Sequence, residues 1–215
     1  VGFERQVLSE LKPADDVTAF VMAGGRSLRM GEGKDKAMLD FGGQSLLQCA
    51  MGVASEVSSE VRIVGPASTL ASLGTVVEDV HRGHGPLGGI HAALRSSRTG
   101  LNLVLAVDMP LMEAHFLEYL ISKARESMAL VTVPMVGGRY QPLCAVYHLD
   151  FAEIAQAALL AGENKIDALF AGIETRVIGD QELVAGGFSP DIFMNVNTPV
   201  EFERARQFVK SKIIS

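Results

Sequence analysis

Apolar and polar positions follow two alternating rhythms along this chain. VTAFVM (17 to 22) is a short, nearly unbroken apolar run that reads as a buried strand, whereas SLLQCAMGVASEVS (45 to 58) repeats apolar residues at helical spacing. VRIVG (61 to 65) and TVVED (75 to 79) predict a second and a third strand. After a glycine-rich turn, PLGGIHAALRSS (86 to 97) predicts a helix, with Pro86 suited to its first turn. LNLVLAVD (101 to 108) is the most continuously apolar segment, as a parallel strand covered on both faces requires, and belongs mid-sheet. A helix over 114 to 127 and a strand over 129 to 135 continue the alternation. The order predicts an α/β fold with three layers: a mostly parallel sheet, helices on both faces, right-handed crossovers and a Rossmann-like plan.

The second half changes rhythm. RYQPLCAVYH (139 to 148) predicts a strand after a Gly137-Gly138 turn, and DFAEIAQAALLAG (150 to 162) a helix closed by Gly162. A short helix over 165 to 171, a short strand over 175 to 178 and a last helix over 199 to 212 complete the set. Residues 1 to 16, ending in a Pro/Asp break, are expected to form an extension, and 17 to 215 a single domain.

Composition narrows the function. The 215 residues suit about one domain, and 48% apolar with 20% charged residues is a globular balance. A net charge of -6 argues against a nucleic-acid surface. The longest apolar runs fall short of the roughly 18 residues of a membrane span. Two cysteines, Cys49 and Cys144, with no signal-like start, predict no disulfide framework and a cytoplasmic setting.

Two glycine-rich stretches carry candidate chemistry. AGGRSLRMGEGKDK (23 to 36) follows the first strand, so its backbone N–H groups can face an anion, and Arg26, Arg29, Lys34 and Lys36 add charge. A solvated basic loop would have the same composition. It is not a Walker A loop, because Leu28 stands where that motif needs Gly and Asp35 follows Lys34. GHGPLGG (83 to 89) matches G-x-G-x-x-G through Gly83, Gly85 and Gly88, but Pro86 occupies its tight loop and three residues separate it from the Glu78-Asp79 pair.

Asp108 ends the most apolar strand, where an acid can hold a metal over phosphates; alone, it could equally cap a helix opened by Pro110. In NVNTP (195 to 199), Thr198 or Asn197 would cap the last helix with Pro199 as its first residue. Asn195 and Asn197, at alternate positions of a strand end, would face the same way. His81, His84 and His91 lack zinc spacing, the cysteines read as small core residues, and Met30 and Met38 as packing.

In order, AGG-x3-RMG, a lysine a few residues on, ED before GPLGG, D-x-P, RYQPLCAVY and NVNTP resemble the molybdenum cofactor guanylyltransferases, the MobA-like family, over about residues 20 to 200. The resemblance implies a nucleotidyltransferase fold and transfer of GMP from Mg-GTP to the phosphate of molybdopterin, with release of pyrophosphate. It also implies Met22, Ala23 and Gly24 at the guanine, Gly25, Gly65 and Asp79 in the nucleotide pocket, Arg29 and Lys36 on phosphates as catalytic residues, and Asp108 as catalytic Mg²⁺ ligand. Gly85, Gly88, Gln141, Lys165, Asn195 and Asn197 fall on the acceptor side. The partners implied are GTP and molybdopterin, with contact to other cofactor-biosynthesis or molybdoenzyme-maturation proteins, and neither nucleic acid nor membrane.

The chain departs from the pattern at several positions. Met22 stands where Leu is usual, and one extra residue leaves Lys34 and Lys36 both open for the phosphate role, with Lys36 preferred because it follows Asp35. Gly65 replaces an Asn that some members use at the nucleotide, and Asn164-Lys165 stand where others carry two basic residues. Rival readings are a cytidylyltransferase of the same pathway, a sugar-phosphate nucleotidyltransferase, a non-catalytic GTP-binding module, or an NAD(P)-binding oxidoreductase using the 83 to 88 match. As a residue of an exposed loop, Lys36 is expected to matter for turnover and little for folding.

Overall fold

A computed structural model describes residues 14–24, 36–79 and 85–214, with side chains up to residue 211. In chain order the strands are β1 (Ala14–Met22), β2 (Asp40–Phe41), β3 (Gln44–Ser45), β4 (Ser58–Val64), β5 (Val76–Val77), β6 (Leu101–Ala106), β7 (Val131–Val136), β8 (Arg139–Tyr140), β9 (Cys144–His148) and β10 (Thr175–Ile178). The α-helices are α1 (Leu46–Val57), α2 (Ala67–Leu70), α3 (Gly85–Ser96), α4 (Ala114–Arg125), α5 (Phe151–Leu160), α6 (Ile166–Phe170), α7 (Asp180–Ala185) and α8 (Pro199–Ile214), with 3₁₀ turns at Lys36–Met38 and Pro190–Phe193.

One sheet, ordered β10-β7-β9-β6-β1-β4-β5, runs through both halves of the chain, and β8 pairs with β7. β1 is parallel to both β4 and β6, β4 to β5, and β7 to β10. β9 is antiparallel to both of its neighbours. The strand-period alternation divides β1 between two cores: Val17, Ala19 and Val21 face α1, α4 and α8, while Phe20 and Met22 face α3, α5 and α6. The predicted three-layer, mostly parallel sheet is therefore what forms. Leu103, Val104 and Leu105 of β6 are buried on both faces, as the apolar run over 101 to 108 requires.

Several expectations need correction. β1 begins at Ala14 rather than Val17, and its exposed start is tied down by Arg125 of α4, which donates to both carboxylate oxygens of Asp16. The strand predicted over 139 to 148 is two strands, because Pro142 interrupts the link between β8 and β9 and supplies no N–H to a ladder. The β2-β3 hairpin, α2 and α7 are too short to leave a periodic signal. Crossovers are not uniformly right-handed. α1 and α4 cover the same face, yet β1 to β4 and β6 to β7 step in opposite directions across the sheet, so these two connections have opposite hands. Cys144 is fully buried as expected, whereas Cys49 is only half-buried and Met38 is exposed.

Candidate active site

From β1 the chain moves outward to β4 and β5, then returns across the sheet to β6 on the other side of β1. The topological switch point therefore lies between the carboxyl ends of β1 and β6, where open α/β sheets bind ligands. The last ladder bond between the two strands runs from the Val107 N–H to the Met22 carbonyl, 3.2 Å, and Asp108 is the next residue.

Three segments far apart in sequence meet there. Lys36 reaches the crevice from the 3₁₀ turn, and its Nζ donates to Asp108 Oδ2 at 2.8 Å and to Asn197 Oδ1 at 2.7 Å. The Lys36 and Asp108 side chains are only 14% and 20% exposed, so Lys36 is not the solvated loop lysine that the sequence suggested. Asn197 is brought in by the segment after the second 3₁₀ turn, which is stitched to β6 by the Val196 N–H donating to the Asp108 carbonyl at 2.9 Å. Of the two asparagines, Asn197 alone bonds the ammonium. Asn195 donates to the Phe193 carbonyl at 3.3 Å and leaves the ammonium to Asn197, because 194–198 is irregular chain rather than a strand.

Glu201 is the member that sequence reasoning missed. Thr198 accepts from the Glu201 N–H at 3.2 Å, while Glu201 Oε2 accepts from the N–H groups of Thr198 at 2.9 Å and Asn197 at 2.8 Å. The signal was present as T-x-x-E, a capping box over 198 to 201. The Asn197 N–H, first among several hydrogen bonds, and the nearby Lys36 charge hold the Glu201 carboxyl below its ordinary range.

The turns that leave β1 and β4 are built around glycine. A Cβ on Gly24 would lie 3.6 Å from the Gly65 Cα, and one on Gly65 would fall 2.6 Å from the buried Leu70 Cδ1 and 3.4 Å from backbone of Ala23 and Gly24. At position 65 a side chain is therefore admitted only if the buried Leu70 shifts, which accords with glycine where some members carry Asn. The Met22 side chain is buried against α3, where a Cβ on Gly89 would meet its Cε at 2.5 Å. Met22 leaves its main chain at the site, beside a nearly buried Ala23 and an exposed Gly24.

The other described candidates lie on separate segments. Asp79 is half-buried beyond β5, next to Glu78, whose Oε1 accepts the Ala67 N–H at 3.1 Å. Gly85 opens α3 with φ +64°, a conformation suited to glycine, while Gly88 is buried inside that helix. Gln141 lies in the β8 to β9 link and donates to the Arg139 carbonyl at 3.4 Å; Lys165 is exposed before α6. Gly25, Arg29 and Lys34 lie outside the described residues, as do Arg26, Gly31, Gly33, His81, Gly83 and His84. Among the described residues no cluster of three or more His, Cys, Asp or Glu forms, and no helix is long and apolar enough to cross a membrane.

A mostly parallel α/β sheet with a lysine and a carboxylate at its switch point, beside turns that carry glycine, is the architecture of a nucleotidyltransferase. Residues 19–177 match the MobA-like NTP transferase domain, and the chain belongs to that family. A probable molybdenum cofactor guanylyltransferase of Pelotomaculum thermopropionicum is 35% identical over 191 residues, 88% of this chain and 91% of that protein. A molybdenum cofactor guanylyltransferase of Desulfosudis oleivorans is 30% identical, over 94% of this chain and 100% of its own. The crystal structure of molybdopterin-guanine dinucleotide biosynthesis protein A from Archaeoglobus fulgidus superposes with a TM-score of 0.79 at 26% identity, covering 90% of this chain and 99% of that one.

Proposed function

We propose that this protein is a molybdenum cofactor guanylyltransferase, moving GMP from GTP to the phosphate of molybdopterin. The bond formed joins an acceptor phosphate oxygen to the α-phosphorus of GTP, and the bond broken releases pyrophosphate. The observation that carries the reading is the Lys36 ammonium held between Asp108 and Asn197 at the β1/β6 switch point. The fingerprint at 83 to 88 does not favour an oxidoreductase: it leads off β5 at the edge of the sheet, whereas a dinucleotide fold places it after the central first strand.

The residues divide the work by chemistry. The acceptor phosphate is already an anionic nucleophile near neutral pH, so no side chain has to remove a proton from it. Catalysis then rests on positioning and on neutralising charge. Lys36 supplies a positive charge, together with Arg29 from the glycine-rich stretch. Gly24 and Gly65 leave bare main chain for the nucleotide to approach, and Gly25, Met22, Ala23 and Asp79 are the further nucleotide-binding residues of this reading. The start of α3 at Gly85 faces the same edge and favours an anion.

The donor set fits Mg²⁺. Two oxygens, Asp108 Oδ2 and Asn197 Oδ1, already converge on one cationic nitrogen, and a single carboxylate suits an ion that completes its shell from water and substrate phosphates. Asp108 with Asn197 would hold the ion, which when bound neutralises phosphate charge. Gln141, Lys165 and Asn195 belong to the acceptor side of this reading.

Calorimetry with GTP, CTP, UTP, ATP and NAD⁺, each with and without Mg²⁺, tests the proposal, followed by pyrophosphate release on addition of molybdopterin. Mg²⁺-dependent preference for GTP and turnover are expected. Preference for CTP would move the reading to the cytidylyltransferase, and GTP binding without pyrophosphate release would make the chain a binding module.

A further inference from the structure

We infer that Glu201 is a positioning residue of this site: its carboxylate fixes the main chain of Asn197 so that the Asn197 amide oxygen meets Lys36. An ordinary capping box needs one bond from the carboxyl to the N-cap N–H, here Thr198. Glu201 Oε2 makes that bond and a second one, at 2.8 Å, to the N–H of Asn197, the residue before the cap. Starting the helix does not require the second bond. It restrains the residue whose side chain faces the ammonium.

Asn197 is exposed and lies on irregular chain, so no strand ladder orders it. It is held from two sides instead. The Val196 N–H anchors the preceding peptide to the Asp108 carbonyl at 2.9 Å, and Glu201 takes the N–H of Asn197 itself. Between these clamps the amide oxygen stands 2.7 Å from Lys36 Nζ, which in turn stands 2.8 Å from Asp108 Oδ2. The result is a closed circuit from β6 through the α8 start to the 3₁₀ turn and back. The Glu201 carboxylate bonds the N–H groups of Asn197 and Thr198 rather than Lys36 or Asp108, so it acts on the site through Asn197. The Lys36 charge is nonetheless among the influences that lower its carboxyl.

This inference rests on the nucleotidyltransferase reading, because it takes the Lys36, Asp108 and Asn197 cluster as the place where Mg-GTP binds. The test compares Glu201→Ala, Glu201→Gln, Glu201→Asp and Thr198→Ala by thermal unfolding, calorimetric binding of Mg-GTP and hydrogen exchange at the Asn197 amide. Thr198→Ala removes the acceptor for the Glu201 N–H and loosens the same helix start, but leaves the carboxylate on Asn197. Gln keeps an oxygen at the same reach, whereas Asp keeps the charge and shortens it.

Glu201→Ala should weaken Mg-GTP binding about tenfold and speed exchange at the Asn197 amide about tenfold. Glu201→Asp, the folded substitute if the alanine variant is unstable, should follow it in direction. Glu201→Gln and Thr198→Ala should bind within about threefold of the parent protein, although Thr198→Ala lowers the Tm. Equal losses of affinity in Glu201→Ala and Thr198→Ala, or parent-like binding in Glu201→Ala and Glu201→Asp, would reduce Glu201 to a helix cap and overturn the inference. Failure of the parent protein itself to bind GTP would overturn the functional reading, and this one with it.

Discussion

The pair of Lys36 and Asp108 links folding to function, and a double-mutant cycle separates the two. At 2.8 Å, with an effective dielectric constant of about 20, the gross attraction is about 6 kcal/mol. Desolvation of two mostly covered charges offsets most of this, so the pair should retain a coupling of about 1 to 2 kcal/mol, above that of exposed ion pairs. Lys36→Met keeps the length of the side chain and strands the carboxylate; it should cost about 2 kcal/mol of stability. Asp108→Asn should cost less, since Asn197 Oδ1 still accepts from the ammonium. Urea unfolding of the parent, both single variants and the double variant gives the coupling. Turnover of Lys36→Met should fall about a hundredfold under conditions where it is fully folded. A coupling below about 0.5 kcal/mol would show that the pair is a solvated contact. Full turnover of the folded Lys36→Met variant would move the phosphate role to Lys34.

Three further outcomes follow from particular contacts. Gly65→Ala should destabilise by about 1 to 3 kcal/mol in urea unfolding, because the buried Leu70 must shift to admit its Cβ; an unchanged midpoint would mean that this turn has slack. Burial raises the Glu182 carboxyl, but hydrogen bonds from Arg176 and Tyr119 outweigh it and leave the group below its ordinary range. Its folded value is thus lower than its unfolded value, so its stabilisation is present above about pH 4.3 and is lost as pH falls through the folded value. Glu182→Gln should therefore be less stable than the parent at pH 7, with the gap closing as acid protonates the folded carboxyl; a gap independent of pH would sink that account. Burial raises both thiols, and Cys144 is fully covered while Cys49 is half-exposed. A maleimide at pH 7 should label Cys49 slowly and Cys144 only on unfolding, as peptide mapping would show, and labelling of native Cys144 would contradict its burial.

How much could be read beforehand depends on the range over which each residue acts. The apolar periods of 17 to 22, 45 to 58 and 101 to 108 act locally, and β1, α1 and β6 form close to the predicted boundaries. The motifs put Asp108 at a strand end and Thr198 and Pro199 at a helix start, because strand ends and caps are local chemistry. The sequence by itself thus determined the layered α/β plan and the residue types from which the site is made. It did not determine the opposite hands of two crossovers or which asparagine of NVN faces the cation. Those depend on strands and loops that meet across large separations in the chain. Lys36, Asp108 and Asn197 come from three distant segments, and only the sheet order places β1 beside β6 and the α8 start above them. Local patterning selects elements by burying one face. Which elements become neighbours is decided by packing all those faces at once, and that was settled by the tertiary structure.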